Sequence, residues 1–331
     1  MSGNLGNEPM ISIGNMHISC KAPTCIVAEL SGNHGGCLEK AMELVRAAKE
    51  AGANAIKLQT YTPDSITLKS NSSDFLIPKG PWKNYSTLWD LYNSAYTPWE
   101  WHEPLFELAR KLGMEIFSSP FDEESVDFLE SLDCPAYKIA SPEITHIPLI
   151  KKVSETNKPI ILSSGLAEIS DIELALETLH LNGSREIAIL KCTSCYPAPY
   201  EEANLLTIPD ISDRFGVVSG LSDHTLGNSV SIAAVALGAR IIVKHIKLDN
   251  SSETVDSFFS LSATSFGRLV EDIRIVERSL GSVSYSITES ALANISGRRS
   301  LYISRDIPAG ECLTSDNIKC VRPSYGLHPK F

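Results

Sequence analysis

The sequence predicts a (β/α)8 barrel, and three observations carry that expectation. Eight apolar, β-branched runs recur with helical patterns between them, which indicates a parallel sheet covered on both faces. The eight units extend over about 250 residues, the usual size of such a barrel. No G-x-G-x-x-G follows the first run, so the open doubly wound sheet of dinucleotide-binding proteins is disfavoured.

In order, the expected strands are Thr24–Leu30, Asn54–Gln59, Met114–Ser118, Ala136–Ala140, Pro159–Ser163, Glu186–Lys191, Gly216–Leu221 and Arg240–His245. Helical periodicity covers Leu38–Ala51, which stops at Gly52, and Pro98–Leu112, which stops at Gly113. It also covers Asp171–Leu181, ahead of Asn182-Gly183, and Ser265–Leu280, which stops at Gly281. Glycine suits these positions because it adopts the left-handed conformation that ends a helix. Asn228–Leu237 is rich in Ala and Val and reads as a tightly packed helix. Tyr61–Tyr96 is a long insertion after the second strand. It belongs on the C-terminal face, where barrel active sites form, and substrate contact is preferred there to surface decoration. The barrel is expected over residues 1–281, a linker over 282–297, and a short partial domain over 298–331 with strands at Arg299–Ile303 and Ile318–Val321.

The formal charge of −11 argues against nonspecific nucleic-acid binding. An anionic ligand must therefore be met by locally placed lysines. No run reaches the ~18 to 20 apolar residues of a membrane span, and no basic region with an apolar stretch opens the chain as a secretory signal. Eight scattered cysteines read as reduced cytoplasmic thiols. Cys192 and Cys195 form a C-x-x-C, for which a redox role is the lesser reading.

Polar residues at C-terminal strand ends are the catalytic candidates of a barrel. His224 and His245 lie where the last two strands should stop, and a neutral imidazole pair there is a plausible half of a metal site. Lys57 and Lys138 sit within apolar strands, where a lysine is costly unless paired or facing a ligand. Two of them among many strand-end hydroxyls suggest a phosphate or carboxylate site. Glu29 has the alternative of pairing structurally with a buried lysine, and His34 that of capping a helix. His17, His102, His146 and His180 read as surface groups.

These strand-end strings resemble the sialic acid (nonulosonic acid) synthase family. The matches are Ala28-Glu29-Leu30-Ser31-Gly32-Asn33-His34, Ile56-Lys57-Leu58-Gln59-Thr60, Phe117-Ser118-Ser119-Pro120-Phe121 and Tyr137-Lys138-Ile139-Ala140-Ser141. Cys192-Thr193-Ser194-Cys195-Tyr196-Pro197, Leu221-Ser222-Asp223-His224 and Lys244-His245 complete them. Singly these strings are weak, but in family order over this length they are specific. The stretch from Arg299-Ser300-Leu301-Tyr302 to Arg322-Pro323 resembles the start of the family's antifreeze-like (SAF) domain. Tyr61–Leu68, Leu88–His102 and Arg322–Pro329 are closest to the pseudaminic acid branch.

The resemblance implies a transferase that condenses phosphoenolpyruvate with 2,4-diacetamido-2,4,6-trideoxy-β-L-altrose, giving pseudaminic acid and phosphate. It implies that His224 and His245 hold a divalent metal, manganese being the expected one. Lys57, Lys138, Ser119, Ser141, Ser163 and Ser222 would hold phosphate and carboxylate, with Ser194 and Tyr196 bordering both substrates. Glu29 and Glu143 would serve water positioning and proton transfer, and Asp256 and Gln59 would contact the sugar. Arg322 would reach the sugar of a partner subunit in a domain-swapped homodimer. Trp82, Tyr85, Trp89 and Tyr92 of the insertion would suit a deoxy, diacetamido sugar face.

Two departures bear on this reading. Val243 stands where the family usually has Glu before Lys-His, which removes a carboxylate near the metal. The chain also stops where the family's small domain continues. The alternatives are an N-acetylneuraminate or legionaminic acid synthase, a Schiff-base aldolase using Lys138 or Lys57, and a degenerate barrel kept as a binding scaffold.

Overall fold

The fold is taken from a computed structural model that describes residues 8–249 and 253–331. The described chain divides into two compact units, one ending at Leu280 and the other running from Gly281 to Phe331. No described helix is long and apolar enough to cross a membrane.

The described part of the first unit opens with a hairpin outside the expected elements, β1 (Met10–Ile13) with β2 (Met16–Ser19). Its alternating residues Ile11, Ile13 and Ile18 are buried in the core. The Asn15 N–H donates to the Glu115 carboxylate at 2.9 Å, so the hairpin lies at the N-terminal end of the strands.

Eight parallel strands follow: β3 (Cys25–Glu29), β4 (Ala55–Thr60), β5 (Glu115–Pro120), β6 (Tyr137–Ile139), β7 (Ile160–Ser163), β8 (Ile187–Cys192), β9 (Val218–Asp223) and β10 (Ile241–Lys247). Each pairs with the next, and β10 pairs back with β3, which closes the barrel. The expected eight runs supply these strands. They are almost wholly buried because core lies on one side and helices on the other. A short strand, β11 (Leu261–Ser262), adds to β10.

The helices of this unit are α1 (Leu38–Glu50), α2 (Pro63–Ile66), α3 (Leu88–Ala95), α4 (His102–Lys111), α5 (Glu123–Ser131), α6 (Ile147–Ser154), α7 (Ile169–Leu181), α8 (Thr207–Phe215), α9 (Ser229–Ala236) and α10 (Ala263–Leu280). In α1, Ala41, Leu44, Val45 and Ala48 form the buried stripe, at the spacing that places them on one face. Gly52 ends that segment with φ +85°, a conformation open to glycine and strained for other residues. The insertion after β4 contains α2 and α3. Trp101, which was expected inside the next helix, instead closes a 3-10 turn at Trp99–Trp101 before α4 begins.

The second unit contains α11 (Glu289–Leu292) and an antiparallel pair, β12 (Ser300–Ile303) with β13 (Ile318–Val321). Buried Asn317 organises its turn: its amide oxygen accepts the Thr314 N–H at 2.8 Å, and its NH2 donates to the Cys312 carbonyl at 3.1 Å.

Candidate active site

The C-terminal ends of the barrel strands converge on a cavity of about 430 Å³. Register decides who meets whom there. His245 lies opposite Glu29 across β10 and β3, and Glu29 lies opposite Lys57 across β3 and β4. Alternate residues of a strand share a face, so these three side chains form one inward layer.

The floor of the cavity is cationic. Lys57 forms an ion pair with Glu29, with both side chains about 97% or more removed from solvent, and it donates to Ser119 Oγ at 3.1 Å. Glu29 therefore has the structural partner allowed for it. Lys138 is also buried. Burial first, and then the charge of Lys57, pushes its ammonium down to about 8. Ser141 and Ser222 line the same floor. Ser163 lies buried at the end of β7 with its hydroxyl unpartnered among the described residues. Ser119 is buried behind Lys57, and Ser194 lies half-buried beside Cys192 rather than on the cavity wall.

One contributor was not foreseen. Gly165 donates its N–H to Ser141 Oγ at 3.0 Å, and a Cβ there would fall onto the hydroxyls of Ser194 and Ser141. The only available signal was its place after the strand-end pair Ser163-Ser164.

Glu143 lines the cavity with one carboxylate oxygen buried and, among the described residues, unpartnered. Burial pushes its carboxyl up to about 7, against the pull of Lys138 and Lys57. Asp256 is buried on the opposite wall, where its Oδ2 accepts from Ser31 Oγ at 2.5 Å and from the Gly32 N–H at 3.3 Å. Burial raises this carboxyl as well. Ser31 is held at φ +44°, an uncommon conformation for a residue with a Cβ and a mark of local strain.

The two histidines have ring centroids 5.5 Å apart. His224 Nδ1 lies 3.0 Å from the Thr193 carbonyl, so it is assigned as the donor there and Nε2 is left with a free lone pair. His245 Nδ1 is buried without a partner among the described residues. Burial, then the charge of His224 and the nearby lysines, holds His245 well below the usual imidazole range. A buried, neutral, unpartnered imidazole beside another with a free nitrogen suits a divalent metal. Among the described residues no third His, Cys, Asp or Glu joins them in a metal-binding group. Val243 is buried in the apolar core on the same strand face as His245. Cys192 lines the cavity while Cys195 is exposed, and both are free thiols.

The upper wall is aromatic. Tyr61, Trp82, Tyr92, Phe121, Tyr196 and Phe259 line it. Tyr196 packs against Trp82, His224 and Phe259 at centroid distances of 5.3, 4.5 and 5.1 Å. The Trp82 indole donates to the Val255 carbonyl at 2.9 Å, tying the insertion to the segment carrying Asp256. The four aromatics singled out from the insertion divide evenly. Trp82 and Tyr92 face the cavity, whereas Trp89 bonds Asp64 and Tyr85 bonds Ser94. Tyr61, Phe121 and Phe259 were missed because only polar residues counted as candidates at strand ends, and an apolar ring there reads as core. Gln59 lines the cavity as well.

His102 corrects an expectation: it is fully buried, with Nε2 2.8 Å from Thr60 Oγ1. Helical position does not reveal which face a residue shows, and this one packs inward between Thr60 of β4 and Phe128 of α5. His34 is buried too, and its Nδ1 accepts the Gly36 N–H at 3.1 Å. Arg322 is exposed on the second unit, just after β13.

Comparison with known proteins bears on this site. The model of the NeuB family matches residues 44–285, and that of the SAF domain matches residues 298–331. A Campylobacter jejuni protein named pseudaminic acid synthase is 45% identical over 97% of this chain and 93% of its own length. A Helicobacter pylori protein of the same name is 47% identical over 93% of this chain and 91% of its own. The solved N-acetylneuraminic acid (sialic acid) synthetase of Leptospira borgpetersenii, in complex with citrate, superposes with a TM-score of 0.77 at 28% identity, over 87% of this chain and 95% of that one.

Proposed function

The chain belongs to the NeuB family, and on that footing we propose that it condenses phosphoenolpyruvate with 2,4-diacetamido-2,4,6-trideoxy-β-L-altrose, giving pseudaminic acid and phosphate. The observation that carries the reading is the pairing of two buried lysines on the cavity floor with an apolar aromatic wall above them. The floor suits a small, multiply charged anion. The wall suits a 6-deoxy sugar bearing acetamido methyl groups, because aromatic faces favour apolar surface.

In this reading Lys57 and Lys138 hold the phosphate and carboxylate of phosphoenolpyruvate, and Ser119, Ser141, Ser163 and Ser222 complete the set of donors. Tyr196 borders the two substrates, and Ser194 stands behind the wall beside Cys192. The reaction joins the methylene carbon of phosphoenolpyruvate to the aldehyde carbon of the sugar. The former aldehyde oxygen gains a proton, water is consumed, and phosphate leaves. Glu143, whose carboxyl is pushed up to about 7 by burial, would give the proton. Glu29, paired with Lys57, serves to orient water. Asp256 and Gln59 contact the sugar. Trp82 and Tyr92 exclude water from its apolar edge.

His224 and His245 would hold a divalent metal, which we assign as manganese. Bound there, it would polarise the aldehyde oxygen as a Lewis acid. We further propose that the protein acts in the cytoplasm as a homodimer, with Arg322 reaching the partner's sugar. A direct test measures phosphate release from phosphoenolpyruvate with a panel of amino-sugar aldehydes and the mass of each product. Release with the trideoxy altrose and formation of the condensed product are expected. Absence of release with every sugar would overturn the reading.

A further inference from the structure

The barrel carries a second buried ion pair, on the outer side of the strands that hold the histidines. Lys244 and Asp223 are register partners across β10 and β9, and each side chain is only 1% exposed. Lys244 Nζ donates to Asp223 Oδ2 at 2.8 Å and to the Thr225 carbonyl at 2.5 Å. Asp223 Oδ2 also accepts from Ser231 Oγ on α9 at 2.6 Å, and its Oδ1 accepts from the Thr225 N–H and Oγ1 at 2.8 and 2.7 Å. The backbone is thus tied down on both sides of His224, by Asp223 and Thr225, and immediately before His245, by Lys244.

We propose that the Asp223–Lys244 pair is a positioning device that fixes the spacing and aim of His224 and His245. Three arguments support it. Burying an ion pair is a poor way to gain stability, since a well-packed apolar pair of similar volume often does better, and the best-attested use of such pairs is to specify register. The pair here is itself a cross-strand register pair, one residue before His245 on β10 and one before His224 after β9. A slip of one residue would turn the histidines to the opposite face of the sheet. Finally, α9 enters the network through Ser231, so the packed helix anchors the strand ends as well.

The proposal rests on reading the two histidines as metal ligands, and the test separates the two ideas. Cobalt(II) is titrated into the full metal-free chain, followed by visible absorption and calorimetry, for the wild type, Lys244→Met, Asp223→Asn and Asp223→Leu/Lys244→Met. Inorganic phosphate is titrated in parallel, and thermal melts confirm folding. Positioning predicts that cobalt affinity falls by about 10- to 100-fold, the usual effect of losing a group that orients a ligand, while phosphate affinity stays as in the wild type. The sign is diagnostic for Lys244→Met. Removing a positive charge beside the site would by simple electrostatics tighten cation binding, so a loss reports lost geometry.

If Lys244→Met does not fold, because Asp223 is left buried and uncompensated, the charge-free double variant decides. Unchanged or tighter cobalt binding in a folded variant overturns the proposal. So does a parallel loss of phosphate affinity, or failure of all three variants to fold, since either makes the pair a general packing element. No cobalt uptake by the wild type overturns the metal reading, and this proposal with it.

Discussion

Glu29 and Lys57 are register neighbours on β3 and β4 and also a buried ion pair. The lysine that faces the proposed anion site is thus half-neutralised before any ligand arrives. Lys138, three strands round from Glu29, has no such partner among the described residues. We expect Glu29→Gln to bind inorganic phosphate more tightly than the wild type, because Lys57 is no longer shared. The ligand-free variant should be less stable by about 3–5 kcal/mol, the cost of leaving one member of a buried pair alone. Calorimetric titration with phosphate and urea unfolding check the two halves. Weaker phosphate binding would mean that Glu29 orients Lys57 toward the anion rather than competing with it.

Lys138→Met should raise the phosphoenolpyruvate KM steeply while the fold survives. Burial lowers the ammonium from its ordinary 10.5 to about 8, so the unfolded chain binds more protons between those values and stability rises with pH there. Below pH 8 the full cost of the buried charge is present, on the order of 3 kcal/mol. The variant removes that cost and should melt higher than the ligand-free wild type at pH 7. A variant that melts lower would mark Lys138 as a structural cation.

Glu143 supplies a pH dependence. Its folded carboxyl is raised from 4.5 to about 7, so the folded chain binds more protons than the unfolded one across that window. Its contribution to stability therefore falls as pH rises from 4.5 to 7. If the protonated form gives the proton, kcat should decline above about pH 7 with a single ionisation. Glu143→Gln should abolish that limb and lower kcat by about 10²–10⁴-fold, the usual worth of a positioned acid. An unchanged pH profile in the glutamine variant would assign the limb elsewhere.

His224→Ala and His245→Ala should each abolish turnover and lower bound manganese, measured by elemental analysis after dialysis. Each removes one of the two imidazoles whose ring centroids lie 5.5 Å apart. Full manganese occupancy in either variant would exclude that histidine as a ligand.

The sugar should be chosen by the aromatic wall. The protein is expected to prefer the trideoxy diacetamido altrose over N-acetylmannosamine in kcat/KM. Trp82→Ala should erode the preference more than Trp89→Ala, because Trp82 lines the cavity and Trp89 is bonded to Asp64 outside it. Equal kcat/KM for the two sugars in the wild type would leave only the broader synthase reaction.

The sequence by itself determined the barrel and most of its inward polar layer. Eight buried parallel strands must be nearly continuous apolar runs, so a lysine such as Lys57 or Lys138 within one, or a histidine at its end, stands out. Strand order also follows from chain order once the units are βα repeats. What only the tertiary structure decided depends on side-chain direction and on contacts between distant segments. The Glu29–Lys57 pair needs the register of β3 against β4. The burial of His102 needs α4 docked between β4 and α5, and the division of Trp82 from Trp89 needs α3 and the Val255 carbonyl in place. Tyr61, Phe121 and Phe259 come together from three strand ends and share no local pattern. Periodicity reports which face of an element is apolar. It carries no record of which other element that face will meet.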